Sequence, residues 1–90
     1  MARKERVTKV IDGDTFCTDK RKHPVRLANV DAPEKDQRGS AAATRKLRAL
    51  LSGKEVSIDT VARDKYRRSV AKVKTGSRSV NKAMRDYLKQ

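Results

Sequence analysis

Residues 7–12 and 15–18 are rich in Val, Ile, Thr and Phe, and the Asp12-Gly13 step lies between them. Asp-Gly between two β-prone runs predicts a hairpin, because Gly accepts positive φ. Lys20-Arg21-Lys22-His23-Pro24 reads as a second turn. Residues 25–30 read as a third strand. Its Val, Leu, Ala and Val residues fall on both faces, a pattern that suits a closed barrel better than an open sheet. Pro33 ends regular pairing, and residues 34–39 form a polar loop.

Ser40 is expected to cap a helix. Ala43, Leu47, Leu50 and Leu51 follow at i, i+4, i+7 and i+8, the stripe of an amphipathic helix. Gly53 is placed to terminate it. Residues 55–61 and 68–74 read as two more strands, with Asp64-Lys65-Tyr66-Arg67 between them. Ser79 is expected to cap a second helix, with Val80, Ala83, Met84, Tyr87 and Leu88 as its apolar stripe. Three strands, a helix, two strands and a helix fit a five-stranded Greek-key barrel of the OB type plus two α-helices. An α+β sandwich is the alternative. No internal repeat or low-complexity linker appears, and residues 1–90 are expected to form one small domain.

Composition narrows the partners. The chain carries 24 Lys and Arg against 11 Asp and Glu, a net charge of +13. That balance favours a polyanion, most simply nucleic acid, through phosphate neutralisation and counterion release. A protein that only coats nucleic acid has the same charge. Neither helical segment joins a strong apolar face to aromatic anchors, which weighs against a membrane-surface role. No apolar run reaches spanning length. The basic N-terminus is not followed by an apolar signal segment. The chain as given is expected to be cytoplasmic, or secreted if it is a processed fragment, and a monomer. Cys17 is the single cysteine, so no internal disulfide forms. It reads as a small buried thiol in a strand. With one His and one Cys, a zinc site is excluded.

Against this basic background a few carboxylates stand beside arginines. Asp14 and Asp31 each sit at a strand end, and a three-strand meander can bring two such ends to one rim. Oxygen ligands gathered there suit Ca²⁺. Read singly, Asp12-Gly13-Asp14 is a hairpin turn and Asp31-Ala32-Pro33 a strand-ending turn. Glu34, three residues after Asp31, is either a solvated loop charge or a group that orients and deprotonates water. Arg26, inside an otherwise apolar strand, needs a partner. It can pair with Asp14 or Asp31, or donate its planar fork to a phosphate. Arg67 and Arg68 follow at the turn before the last strand, and one of them can face the same rim.

The ordered set Asp-Gly-Asp-Thr, Val-Arg-Leu…Val-Asp-Ala-Pro-Glu, Asp-Lys-Tyr-x-Arg and Val-Asn-Lys-Ala resembles the staphylococcal nuclease, or thermonuclease-like, family. The resemblance runs from about Val7 to Leu88. It implies an OB-fold barrel and Ca²⁺-dependent, sugar-non-specific hydrolysis of DNA and RNA to products bearing 3′-phosphates. By position it makes Asp14, Asp31 and the Ala32 carbonyl the metal ligands. Glu34 would be the general base, and Arg26 and Arg68 the clamp on the scissile phosphate. Lys65 and Tyr66 would contact the nucleotide.

The chain departs from the family pattern in three ways. Ala32 stands where some members have threonine. The loop after Glu34 is short. The chain stops after its second helix, where better-known members continue into a third helix and base-binding aromatics. The alternative function is a thermonuclease-like module that binds nucleic acid without cutting it. The intact set of polar positions argues for the enzyme.

Overall fold

The computed structural model describes residues 4–34 and 36–89. Eight elements follow in order: β1 (Lys4–Asp12), β2 (Thr15–Thr18), β3 (Val25–Leu27), α1 (Ser40–Leu51), β4 (Glu55–Arg63), β5 (Ser69–Thr75), β6 (Arg78–Ser79) and α2 (Val80–Leu88). The sheet order is β3-β2-β1-β4-β5-β6, and β3 also pairs with β5. That extra pairing closes the first five strands into a ring of hydrogen bonds. The fold is an OB-type barrel with two helices, as the order of elements predicts. The β3–β5 seam is parallel, with Val25, Arg26 and Leu27 opposite Ser69, Val70 and Ala71. The other pairings are antiparallel.

The barrel interior holds Phe16, Val25, Leu27, Val56, Ala71 and Val73, all fully buried. Ala43, Leu47 and Leu51 of α1 and Val80 and Met84 of α2 belong to the same cluster. With one Phe in the chain, branched aliphatics fill this core, as expected from composition. Burial of a Leu or Val side chain stabilises by about 1.5–3 kcal/mol each.

Asn81 fastens α2 to the ring. Its Oδ1 accepts from the Val73 N–H at 2.8 Å. Its Nδ2 donates to the carbonyls of Ala28 at 2.9 Å and Ala71 at 3.0 Å. One buried amide therefore ties the helix start to both strands of the parallel seam. On β1, buried Glu5 accepts from Thr18 Oγ1 at 2.7 Å and from Arg21 Nε at 2.9 Å. Arg21 Nη1 also donates to Ser69 Oγ at 3.1 Å, so the group crosses from β1 to the start of β5.

Several local expectations need correction. Ser40 is not the cap of α1 but its first helical residue. Gly39 holds the cap position at φ 88°, and no side chain caps it. A positive φ is the conformation Gly adopts without steric cost, and the polar Ser side chain is not needed there. The third strand ends at Leu27 rather than residue 30, because the chain turns at Ala28-Asn29, with Asn29 at φ 59°. Cys17 is half-buried rather than buried. Ser79 does cap α2, accepting from the Lys82 N–H at 3.2 Å. Gly53, at φ 70°, follows the end of α1 as expected.

Candidate active site

The β1–β2 turn brings Asp14 to the rim of the barrel. Gly13 does not take the positive φ that the hairpin reading expects; it serves instead by allowing a close approach, since a Cβ there would lie 2.7 Å from Ala43 Cβ and 2.8 Å from Ala32 Cβ. The turn is thereby pressed against α1 and against the segment that follows β3. Asp12 Oδ1 accepts from the Asp14 N–H at 3.1 Å, which sets the turn. Next in the chain, Thr15 stands opposite Arg26 in the β2–β3 ladder.

Asp14 is only 7% exposed. Its Oδ1 accepts from Thr15 Oγ1 at 2.8 Å and its Oδ2 from the Ala32 N–H at 3.3 Å. Arg26 Nη2 lies 3.5 Å from the same Oδ2. Arg26 Nη1 donates to the Leu27 carbonyl at 3.3 Å. Of the partners open to Arg26 in the sequence, Asp14 is the one it meets. Burial raises the Asp14 carboxyl above its usual range. Hydrogen bonding and charge from Asp12 push the same way, against the Thr15 hydroxyl and the Ala32 N–H. The Arg26 guanidinium does not reverse this.

Arg68 reaches the site from the turn between β4 and β5. Its Nε donates to Asp64 Oδ2 at 2.6 Å. Asp64 Oδ1 accepts from the N–H groups of Tyr66 and Arg68, both at 3.0 Å. Burial raises the Asp64 carboxyl, but these bonds and the Arg68 charge outweigh it, so its pKa lies below the ordinary value. Tyr66 is 64% exposed. Lys65 Nζ and Arg68 Cζ lie 5.2 and 5.3 Å from its ring centroid. Arg67 takes φ 65° and is exposed, so Arg68 is the arginine of this pair that lines the rim.

These elements enclose one cleft of about 420 Å³. Asp14, Arg26, Asp31, Ala32, Glu34, Tyr66 and Arg68 all line it, as do Asp12 and Pro33. Lys65 belongs to the adjoining turn and does not line the cleft. Asp31 and Glu34 are exposed. The Glu34 N–H donates to Gln37 Oε1 at 2.8 Å, which fixes its backbone.

The donor set around the cleft is all oxygen, which suits a hard cation. A buried carboxylate held above its usual pKa is also one that a cation would relieve. Among the described residues no three His, Cys, Asp or Glu side chains are already drawn together as a metal cluster. Two carboxylates and a carbonyl leave further positions to water, which Ca²⁺ accepts.

Sequence reasoning did not single out the roles of Asp12, Thr15 and Asp64. Asp64 had a signal in its position four residues before Arg68. Asp12 was read only as turn chemistry.

The family model of staphylococcal nuclease homologues matches residues 24–87. That span takes in Arg26, Asp31, Glu34 and Arg68, and Asp14 lies before it. A protein of Escherichia coli O157:H7 named "uncharacterized endonuclease" is 41% identical over 70 residues, 76% of this chain and 46% of that protein. A Haemophilus influenzae protein of the same name is 37% identical over 82 residues, 88% of this chain and 46% of its own length. Protein ParB of Escherichia coli is 36% identical over 69 residues, 74% of this chain and 39% of ParB. The chain spans less than half the length of these relatives. The matched span, the closed barrel and the cleft agree: this chain belongs to the staphylococcal nuclease homologue family.

Proposed function

We propose that the chain is a Ca²⁺-dependent nuclease that hydrolyses DNA and RNA phosphodiesters without regard to the sugar, leaving 3′-phosphates. One observation carries this reading: Arg26 and Arg68 share a single cleft with Asp14, Asp31 and Glu34. The endonuclease names of the relatives support it. The net charge of +13 suits a polyanionic substrate.

In this reading Asp14, Asp31 and the Ala32 carbonyl hold Ca²⁺, which supplies Lewis-acid charge at the scissile phosphate when bound. Arg26 and Arg68 donate to the non-bridging oxygens and oppose the negative charge that builds as the water attacks. Glu34 accepts the proton of that water. The water oxygen bonds to phosphorus and the bond to the 5′ oxygen breaks. That oxygen takes up a proton from solvent, and the phosphate stays on the 3′ side. Tyr66 offers an exposed ring for base or sugar, and Lys65 beside it offers a cation. Each lost phosphate donor should cost on the order of 3 kcal/mol of barrier.

The test is digestion of supercoiled plasmid with Ca²⁺ and with chelator, followed by end-group analysis. Nicking that needs Ca²⁺ and leaves 3′-phosphates supports the reading. A folded protein that retains DNA and never nicks it belongs to the binding-module alternative.

A further inference from the structure

Beside the cleft lies a second groove of about 620 Å³. The two share Asp31, Ala32, Pro33 and Glu34, so this segment is a wall between them. The far side of the second groove is made by Gln37, Arg38 and Leu88. Resting on the nuclease reading, we propose that this groove is a subsite for the nucleotide next to the cleaved bond, with Arg38 holding that nucleotide's phosphate.

Three observations carry the assignment. The groove adjoins the cleft across the shared Asp31–Glu34 wall, so a strand bound in the cleft and extended over that wall would enter it. Two carboxylates stand on the shared wall and repel a phosphate. Among the described residues lining the groove, Arg38 is the one cation to counter them. It is exposed and forms no ion pair among the described residues. Leu88, half-buried, offers an apolar surface to the sugar or base.

Gln37 lines the second groove and is bonded to Glu34, which lines both. Its Oε1 accepts from the Glu34 N–H at 2.8 Å, and its own N–H donates to the Glu34 carbonyl at 2.8 Å. Among the described residues nothing accepts from the Gln37 side-chain NH₂, which leaves its donors open to a ligand. A nucleotide that engages Gln37 therefore steadies the residue proposed as general base. Binding energy from a flanking nucleotide then appears in turnover as well as in affinity.

The test compares cleavage of a dinucleotide and of a single-stranded octanucleotide containing the same central step. The parent should favour the octanucleotide in both kcat and kcat/KM. Arg38→Ala should lower the octanucleotide-to-dinucleotide ratio of kcat/KM by about tenfold, the worth of one charge-assisted phosphate contact. Arg45→Ala, an equal loss of charge on the exposed side of α1, should lower it less than twofold. Equal effects from the two substitutions would overturn the subsite. Titration of both dye-labelled ligands in chelator reads the binding part of that ratio as Kd, without any cleavage, and Arg38→Ala should lower it where Arg45→Ala does not. If the parent cuts neither substrate, the nuclease reading fails, and this titration alone decides the subsite.

Discussion

Asp64 grips Arg68 twice over: one carboxylate oxygen takes the guanidinium Nε at 2.6 Å, and the other takes the Arg68 backbone N–H at 3.0 Å. With Nε occupied, the two terminal nitrogens of Arg68 have no hydrogen-bond partner among the described residues, which is the arrangement a phosphate clamp needs. In the proposed nuclease, Asp64 is then a positioning residue for the Arg68 half of the phosphate clamp.

Asp64→Asn should lower kcat by about tenfold to a hundredfold while KM changes little, because a loosened arginine costs more in the transition state than in binding. Asp64→Glu should restore part of the loss. The depressed Asp64 pKa gives a second readout. The grip is present above the ordinary carboxylate value of about 4 and is lost only as pH falls through the lower folded value. The Arg68 Nε–H signal should therefore hold its position from pH 7 to about pH 4. An early shift would show that the pair is loose in solution.

Asp14 gives the opposite sign. Its folded pKa is raised, chiefly by burial. The unfolded chain ionises first, so the parent should lose stability relative to Asp14→Asn as pH rises from about 4 through the raised value. Melting curves of both proteins in chelator measure that gap. Ca²⁺ with a nucleoside bisphosphate should raise the parent's Tm by mass action and leave that of Asp14→Asn unmoved. The substitution should also cost at least about a hundredfold in Ca²⁺-dependent cleavage.

Glu34→Gln keeps the size of the side chain and removes its basicity. Single-turnover cleavage should fall by about two orders of magnitude. DNA affinity should hold or tighten slightly with one negative charge gone. Cleavage at the parent rate would remove Glu34 from the chemical step.

Gly13→Ala tests the close approach behind the site. The new methyl would meet Ala43 and Ala32 at under 3 Å, and both contacts are Cβ atoms with no rotamer to yield. Overpacking of this kind costs about 1–3 kcal/mol. In a chain of this size each kcal/mol lowers Tm by about 4–8 °C. Because Ala32 carries the N–H that binds Asp14, the Ca²⁺ response should weaken along with stability.

The five-stranded ring was legible because its strands are rich in β-branched and aliphatic residues, and because the Asp12-Gly13 turn and Pro33 punctuate the run; β6, Arg78-Ser79, carries no such signal and is not among the strands expected. The helices were legible from their stripes, Ala43-Leu47-Leu50-Leu51 and Val80-Met84. Less legible were features that depend on contacts distant in sequence. Nothing near Glu5 says that it meets Thr18 and Arg21, or that Arg21 continues to Ser69. The early end of β3 depends on Asn29 adopting a left-handed conformation, which residue type permits but does not require. Gly39 takes the cap from Ser40 for a similar reason: both residues cap helices, and only the backbone angle decides. Within the site, Asp14, Arg26 and Arg68 were named from the chain, but the partner that orients Arg68 was not.

The seam between β3 and β5 is three residue pairs long, and β3 has two more with β2. The β1–β4 ladder is as short, but backbone bonds from Ala28 to Ala71 and from Ser69 to Pro24 lengthen the β3–β5 seam, and Asn81 braces both sides of it. Parting the seam would expose the fully buried Val25 and Leu27 and break the Asn81 bonds, so the ring resists opening here despite the short ladder. Arg26 stands on one side of the seam and Arg68 leads into the other. The seam therefore fixes how far apart the two guanidinium groups proposed as a phosphate clamp are carried. Asn81→Ala should loosen that spacing, so the amides of Val25–Ala28 should exchange with solvent sooner than in the parent while those of β5 opposite β4 keep their protection.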